Sequence, residues 1–229
     1  MNQNSCNIED KESKCCSQTN TNEKDFATHW NDIFLNTDEQ KLGWYEVDVS
    51  PTIGLIKKTH LNKSANILNV GAGSTTLVDD LLALDFSNIT ANDISSTALN
   101  KLEKRVGKEK VNLLEADLTK PNQFETIKEV DLWIDRAVLH FLVQKEDQDT
   151  YFQLLNRKLK AGGFVFLAEF SLEGASSCAG LPVKQYSLGI LIEKLGENYK
   201  LVESFNYTYK KPSGAERPFI YTLFQKKDN

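Results

Sequence analysis

Ile67-Leu68-Asn69-Val70-Gly71-Ala72-Gly73-Ser74-Thr75-Thr76 is a short apolar run that ends in two glycines. A helix-like segment, Thr75 to Leu84, follows it. Glycines where a strand turns into a helix let the backbone bend tightly and approach a ligand closely, and the helix N-terminus offers free N–H groups. Two familiar templates fail here. Thr76 stands where a dinucleotide fingerprint needs its third glycine, and the G-K-[ST] of a phosphate-binding P-loop is missing. A plain strand-to-helix turn without a ligand stays open until the downstream residues are counted.

Outward from this stretch, short apolar runs alternate with amphipathic ones. Ile89 to Asn92, Val111 to Ala116, Val130 to Ile134 and Phe164 to Phe170 read as strands, the last entered through Gly162-Gly163. Ser95 to Val106 reads as a helix, and helices are expected on either side of the fourth strand. Such alternation predicts βαβ units and a parallel sheet covered on both faces. A helix at Leu188 to Leu195 precedes two extended runs, Lys200 to Tyr209 and Pro218 to Gln225. The turn Lys211-Pro212-Ser213-Gly214 joins them into an antiparallel hairpin. Upstream, Phe26, Trp30, Ile33 and Phe34 recur at helical spacing, and Ser50-Pro51 opens another candidate helix. The expected fold is a single α/β domain, a Rossmann-like doubly wound sheet of seven strands, mostly parallel, with that hairpin at its C-terminal end.

Length and composition fit one such domain. The chain has 229 residues, 40% of them hydrophobic, enough for a core without staples. Residues 1–24 are polar and read as a disordered tail, which leaves 25–229 as the domain. Lys and Arg number 27 against 32 Asp and Glu, a net charge of −5 that provides no global attraction for nucleic acid or an anionic membrane. No apolar run is long enough to span a bilayer, and the N-terminus has no apolar signal segment. Cys6, Cys15, Cys16 and Cys178 form no disulfide framework and no zinc pattern, so no metal is expected and a reducing cytoplasm is the simplest setting.

Acidic residues then end three successive strands. Asp93 closes the second, at the distance from Gly71 where a carboxylate accepts from ribose hydroxyls. Asp117 and Asp135 close the third and fourth. Each alone could be a helix cap, but together they converge on the crevice where doubly wound sheets bind ligands.

With these residues in place, about residues 25–227 resemble the class I S-adenosylmethionine (SAM) dependent methyltransferases. Asn69-x-Gly71-x-Gly73 looks like that family's first motif, Asp93 like its ribose carboxylate and Asp117 like its adenine contact. Trp44-Tyr45-Glu46, Asp135-Arg136-Ala137-Val138-Leu139-His140-Phe141-Leu142 and Cys178-Ala179-Gly180-Leu181-Pro182-Val183 are similar to an uncharacterised bacterial subgroup. Asn69 replaces the family's usual acid, and Thr75 a frequent third glycine. The resemblance implies SAM as cofactor, held by Gly71, Ala72, Gly73, Asp93, Ile94, Asp117, Leu118 and Asp135, and methyl transfer to a small-molecule acceptor.

The acceptor side is read from position. Asp135 and His140 are the candidate proton acceptors, with His140 and Arg136 four apart on an expected helix face. A core histidine packed beside Phe141 is the competing reading. Arg136 would pair with an acid or hold an acidic acceptor such as a carboxylate. Tyr45, Arg136, His140 and Cys178 are the expected acceptor contacts, and Glu169, Phe170 and Ser171 border them at the end of the fifth strand. The loop Glu173 to Val183 is long enough to fold over the site. Two other functions stay open: a protein-lysine methyltransferase and a non-catalytic SAM-binding protein. A nicotinamide dehydrogenase is disfavoured by Thr76 and the hairpin.

Overall fold

The structure is a computed structural model that describes residues 25–46, 48–211 and 213–228. The expected polar tail, with Cys6, Cys15 and Cys16, lies outside the described residues. In chain order the elements are α1 (Phe26–Asn36), α2 (Ser50–Lys57), β1 (Asn66–Val70), α3 (Leu77–Ala83), β2 (Asn88–Asp93), α4 (Ser96–Val106) and β3 (Asn112–Glu115). They continue with β4 (Val130–Arg136), α5 (Lys145–Lys158), β5 (Leu159–Phe170), β6 (Ser177–Cys178), β7 (Leu181–Pro182), α6 (Leu188–Leu195), β8 (Tyr199–Lys210) and β9 (Glu216–Lys226). One sheet of seven strands has the order β3-β2-β1-β4-β5-β9-β8. Its first five strands are parallel, and β9 runs antiparallel to both β5 and β8. This is the architecture the sequence predicts. The chain leaves β1 towards β3 and returns through β4 towards β5, so the switch point, where such sheets bind ligands, lies between β1 and β4.

Alternation along the strands builds two cores. Ile67, Ile89, Leu132 and Phe166 face one side, under Leu55 of α2, Val78 and Leu81 of α3 and Leu102 of α4. Leu68, Trp133, Val165 and Leu167 face the other, under Tyr151, Leu154 and Leu155 of α5 and Leu191 of α6. Each buried side chain of this size contributes roughly 1.5–3 kcal/mol, which is why inward positions on both faces are apolar. Helix ends follow local chemistry. The Ser95 hydroxyl accepts from Ala98 N at 3.1 Å, and Gly107, at φ +95°, stops α4. Among the described residues no helix is long and apolar enough to cross a membrane.

Two local expectations are corrected. No α-helix joins Arg136 to His140. Arg136 ends β4, Ala137 takes φ +68°, and a single 3₁₀ turn, Leu139–Phe141, carries His140. The cause is Asp135, whose carboxylate accepts from Val138 N at 3.0 Å and Leu139 N at 3.2 Å and folds the chain back on itself. The segment Glu173 to Val183 is also more ordered than a loop. It forms the small hairpin β6–β7, turned at Ala179 (φ +52°) and Gly180 (φ +76°).

Gly71 has φ +56°, and a Cβ there would lie 2.0 Å from Val138 Cγ2. Gly71→Ala should cost about 2–4 kcal/mol, from left-handed strain plus overpacking. Gly54, exposed within α2 and with nothing close to a new Cβ, gives the contrast. Gly54→Ala should stabilise by about 0.5–1 kcal/mol. Urea midpoints at constant m-value measure both.

Candidate active site

The glycine turn is tied down from three directions. Ala72 N donates to Asn92 O at 2.8 Å, and Gly73 N donates to Asp93 Oδ2 at 2.8 Å. Arg105, at the end of α4, donates to Ser74 O at 2.6 Å and Thr75 O at 2.7 Å, while Asp79 holds its guanidinium. Gly73 shares the φ of +56°, and its bare Cα leaves the Phe34 ring room at close range. The turn opens into a cavity of about 550 Å³ at the carboxyl ends of β1, β2 and β4. That volume lies within the roughly 300–1,000 Å³ usual for small-molecule sites.

On one side the wall includes Gly71, Gly73, Asp93, Ile94, Asp117 and Leu118. Six of the eight expected cofactor residues therefore meet there. Asp93 is buried, and its second oxygen, Oδ1, accepts from Ser95 N at 2.8 Å. Burial pushes its pKa up to about 6, although the backbone N–H groups of Ser95, Gly73 and Ile94 favour the charged form. Asp117 Oδ1 accepts from the N–H and hydroxyl of Thr119 at 2.9 and 2.8 Å, which fixes the wall after β3. A glycine cradle, a carboxylate with lone pairs to spare and apolar Ile94 and Leu118 fit the ribose and adenine of SAM. Ala72 faces a smaller cleft behind the turn, shared with Asn69, Glu46 and Arg136.

Asp135 is not in the cavity wall. It is fully buried and accepts from the Tyr151 hydroxyl at 2.7 Å, which in turn accepts from Trp133 Nε1 at 3.0 Å. Burial and the neighbouring Glu169 carboxyl push its pKa well above the usual range, and its place behind the wall corrects both expectations for it, as a cofactor contact and as a proton acceptor. Tyr45 is also outside the wall. It packs with Trp30 and Trp44 against Phe34, Leu42 and Ala98, and its carbonyl accepts from the Tyr209 hydroxyl. Trp44, its neighbour, takes the place in the wall that Tyr45 was expected to have.

Arg136, His140 and Cys178 do line the cavity. Arg136 Nε lies 2.7 Å from Glu46 Oε2, and Tyr221 OH donates to Glu46 Oε1 at 3.1 Å. The His140 ring is buried between Phe141 and Phe170, with centroids at 4.5 and 4.6 Å. Its Nδ1 sits 2.8 Å from Glu169 Oε2, close but poorly aligned for a hydrogen bond, and Nε2 has no partner. Burial lowers His140 to about 3 and raises Glu169 to about 8. Burial likewise raises the Cys178 thiol. The β6–β7 hairpin walls this side, and Ala179 O accepts from His29 Nε2 of α1 at 3.1 Å. Phe26, Trp30 and Phe34 of α1 complete an aromatic wall. Lys211 and Arg217, from the tip of the β8–β9 hairpin, line it as well. Neither was singled out from the sequence. Among the described residues no group of His, Cys, Asp and Glu is arranged to hold a metal.

Residues 68–167 match the family model described as a methyltransferase domain. No curated protein matches the chain significantly. Among solved structures, a SAM-dependent methyltransferase from Anabaena variabilis superposes with a TM-score of 0.71 at 15% identity, covering 88% of this chain and 93% of that one. The N-methyltransferase NodS from Bradyrhizobium japonicum, in complex with S-adenosyl-L-homocysteine, gives 0.67 at 16% identity over 87% and 97%. A Burkholderia thailandensis 1,6-didemethyltoxoflavin N1-methyltransferase, with that compound and S-adenosylhomocysteine bound, gives 0.62 at 19% identity over 88% and 84%.

The state of Asp93 leads to a pH test. A neutral carboxyl accepts ribose hydroxyls poorly, so binding favours the ionised form. With a free-state pKa of about 6, affinity for S-adenosylhomocysteine should fall as pH drops below 6, by about tenfold per unit. Asp93→Asn should bind more weakly and with little pH dependence. Calorimetric titrations from pH 5 to pH 8 measure both.

Proposed function

We propose that this chain, whose residues 68–167 match a methyltransferase domain, is a class I SAM-dependent methyltransferase and that it methylates a small-molecule acceptor bound beside His140. The observation that carries this reading is the walled cavity. Aromatic residues of α1, the β6–β7 hairpin and the β8–β9 tip wall the end of the 550 Å³ cavity that Gly71, Asp93 and Asp117 leave free, and such an enclosed end suits a compact molecule. The Burkholderia 1,6-didemethyltoxoflavin N1-methyltransferase, whose structure holds that compound beside S-adenosylhomocysteine, is consistent with such an acceptor.

Bound SAM would supply a methyl group activated by its sulfonium, with the carbon–sulfur electron pair leaving on sulfur. The protein supplies position, dryness and a place for the acceptor's proton. Gly71, Gly73, Asp93, Ile94, Asp117 and Leu118 would hold the cofactor. Trp30, Trp44, Phe141 and Phe170 exclude water and restrict the orientation of the acceptor. Where the acceptor must lose a proton, Nε2 of His140 is the receiving atom. Glu169 acts as a positioning residue through Nδ1. When Glu169 is protonated it donates to Nδ1, which leaves the ring proton on Nε2 and blocks it. When Glu169 is ionised, Nδ1–H turns to the carboxylate and the Nε2 lone pair is free.

Incubation with methyl-labelled SAM should put label into a small-molecule fraction of a cell extract and not into protein, read by chromatography of the separated fractions. Label found on lysine side chains would instead favour the protein-methylating alternative. With the acceptor in hand, kcat should rise with pH and level off above about 8, following Glu169. Glu169→Gln should flatten that profile, and His140→Ala should lower kcat by roughly 10²–10⁴-fold. A purely structural His140 would lower the melting temperature and leave the profile of the folded fraction unchanged.

A further inference from the structure

The charges around the cavity are sorted. Asp93, Asp117 and Asp147 line the side reached from β2, β3 and α5. Arg136, Lys211 and Arg217 line the other, from the end of β4 and the tip of the β8–β9 hairpin. Glu46 balances Arg136, but no acidic residue among the described lining accompanies Lys211 or Arg217. In a chain of net charge −5, this cationic end is a local feature.

Arg136 shows how the end is built. Its side chain is 10% exposed and lies over the rings of Tyr209 and Phe219, 5.0 and 5.3 Å from their centroids. Nε engages Glu46, and Nη1 donates to Trp44 O at 3.2 Å. Nη2 is buried with no partner. An unsatisfied buried guanidinium N–H is costly, and its natural complement is a planar anion that accepts from it. Cys178 lies within the electrostatic reach of Arg217, Lys211 and Arg136, all of which oppose the effect of burial on its thiol. The three cations and the hairpin wall therefore surround one region.

We infer that the methyl acceptor is a small organic anion whose carboxylate is held by Nη2 of Arg136, with Lys211 and Arg217 closing over it. This deepens the proposed function and rests on it. The amino-acid end of the cofactor also carries a carboxylate, but its own ammonium cancels that charge. It would leave Lys211 and Arg217 uncompensated, whereas an anionic acceptor matches them.

The test uses the protein saturated with S-adenosylhomocysteine, so that cofactor binding is established first. Benzoate, 4-hydroxybenzoate and succinate are titrated as probes, beside the neutral benzamide, 4-hydroxybenzamide and succinamide, with binding read by saturation-transfer NMR. At least one carboxylate should bind at least about tenfold more tightly than its amide. Arg136→Lys and Arg217→Gln should each weaken that carboxylate severalfold and leave S-adenosylhomocysteine affinity unchanged. Arg217 is only partly buried, so its variant keeps the test informative should Arg136→Lys fail to fold. Raised salt should weaken the carboxylate and not the amide. Equal binding of carboxylate and amide, or no carboxylate binding at millimolar concentration, overturns the inference. So does a loss that falls on S-adenosylhomocysteine, which would assign Arg136 to the cofactor. Failure of the wild-type protein to bind S-adenosylhomocysteine would instead remove the methyltransferase reading itself.

Discussion

The carboxyl of Asp135 holds the turn on which the placement of Arg136 and His140 depends. It lies at the end of β4, takes two backbone N–H groups from the next four residues, and is braced from behind by Tyr151 and Trp133. Leaving those N–H groups unpaired in the interior would cost about 1–3 kcal/mol each. Because the chain folds back here, Arg136 stays in the sheet and reaches Glu46, while His140 is carried to Glu169 at the end of β5. A regular helix from Arg136 would have put both side chains on one face and left neither contact. Burying Asp135, Glu169 and His140 together is costly, and the raised carboxyl and lowered imidazole pKa values are the sign of it.

The cofactor side is held by a different device. Asp93 is a hinge pin between the glycine turn and α4, since one oxygen takes Gly73 N and the other Ser95 N. The cap of α4 is Ser95 and not Asp93. Asp93 holds the N–H of that cap while it is presented to the cavity, and it fixes the turn against which a ribose would sit. Arg105 repeats the principle from the end of α4 by gathering the carbonyls of Ser74 and Thr75. The bonds to Gly73, Ser74 and Thr75 are long-range, so the turn is shaped before any ligand arrives, which lowers the entropy lost on binding.

Much of this was legible because it is local. Short apolar runs such as Ile67 to Val70 and the Leu188–Leu195 helix can be read from neighbours, and so can a glycine pair at a strand end. Asp93, Asp117, Cys178 and His140 reach the cavity because the ends of parallel strands converge, a rule of topology that needs no coordinates. What was misread depends on distant partners. Asp135 reads as an exposed strand-end acid until Tyr151 and Glu169 are seen around it. Glu46, Arg136 and Tyr221 form one cluster from three remote parts of the chain, and nothing in the spacing of Glu46 announces its two partners. Tyr45 and Trp44 differ by one position, and packing on α1 decided which of them turned inward. Lys211 and Arg217 look like ordinary hairpin charges until β9 is placed beside β5.

The three tryptophans of the chain are divided between two surroundings. Trp30 and Trp44 stand edge to face, 5.5 Å apart, in the cavity wall, and Trp30 meets Phe141 at 5.0 Å. Trp133 is fully buried in the opposite core and donates to Tyr151. The protein is thus its own optical reporter. Any molecule that enters the cavity changes the polarity around two indoles and leaves the third as a constant internal reference. Ordinary emission spectra can then count occupancy without a label on the protein or on the ligand.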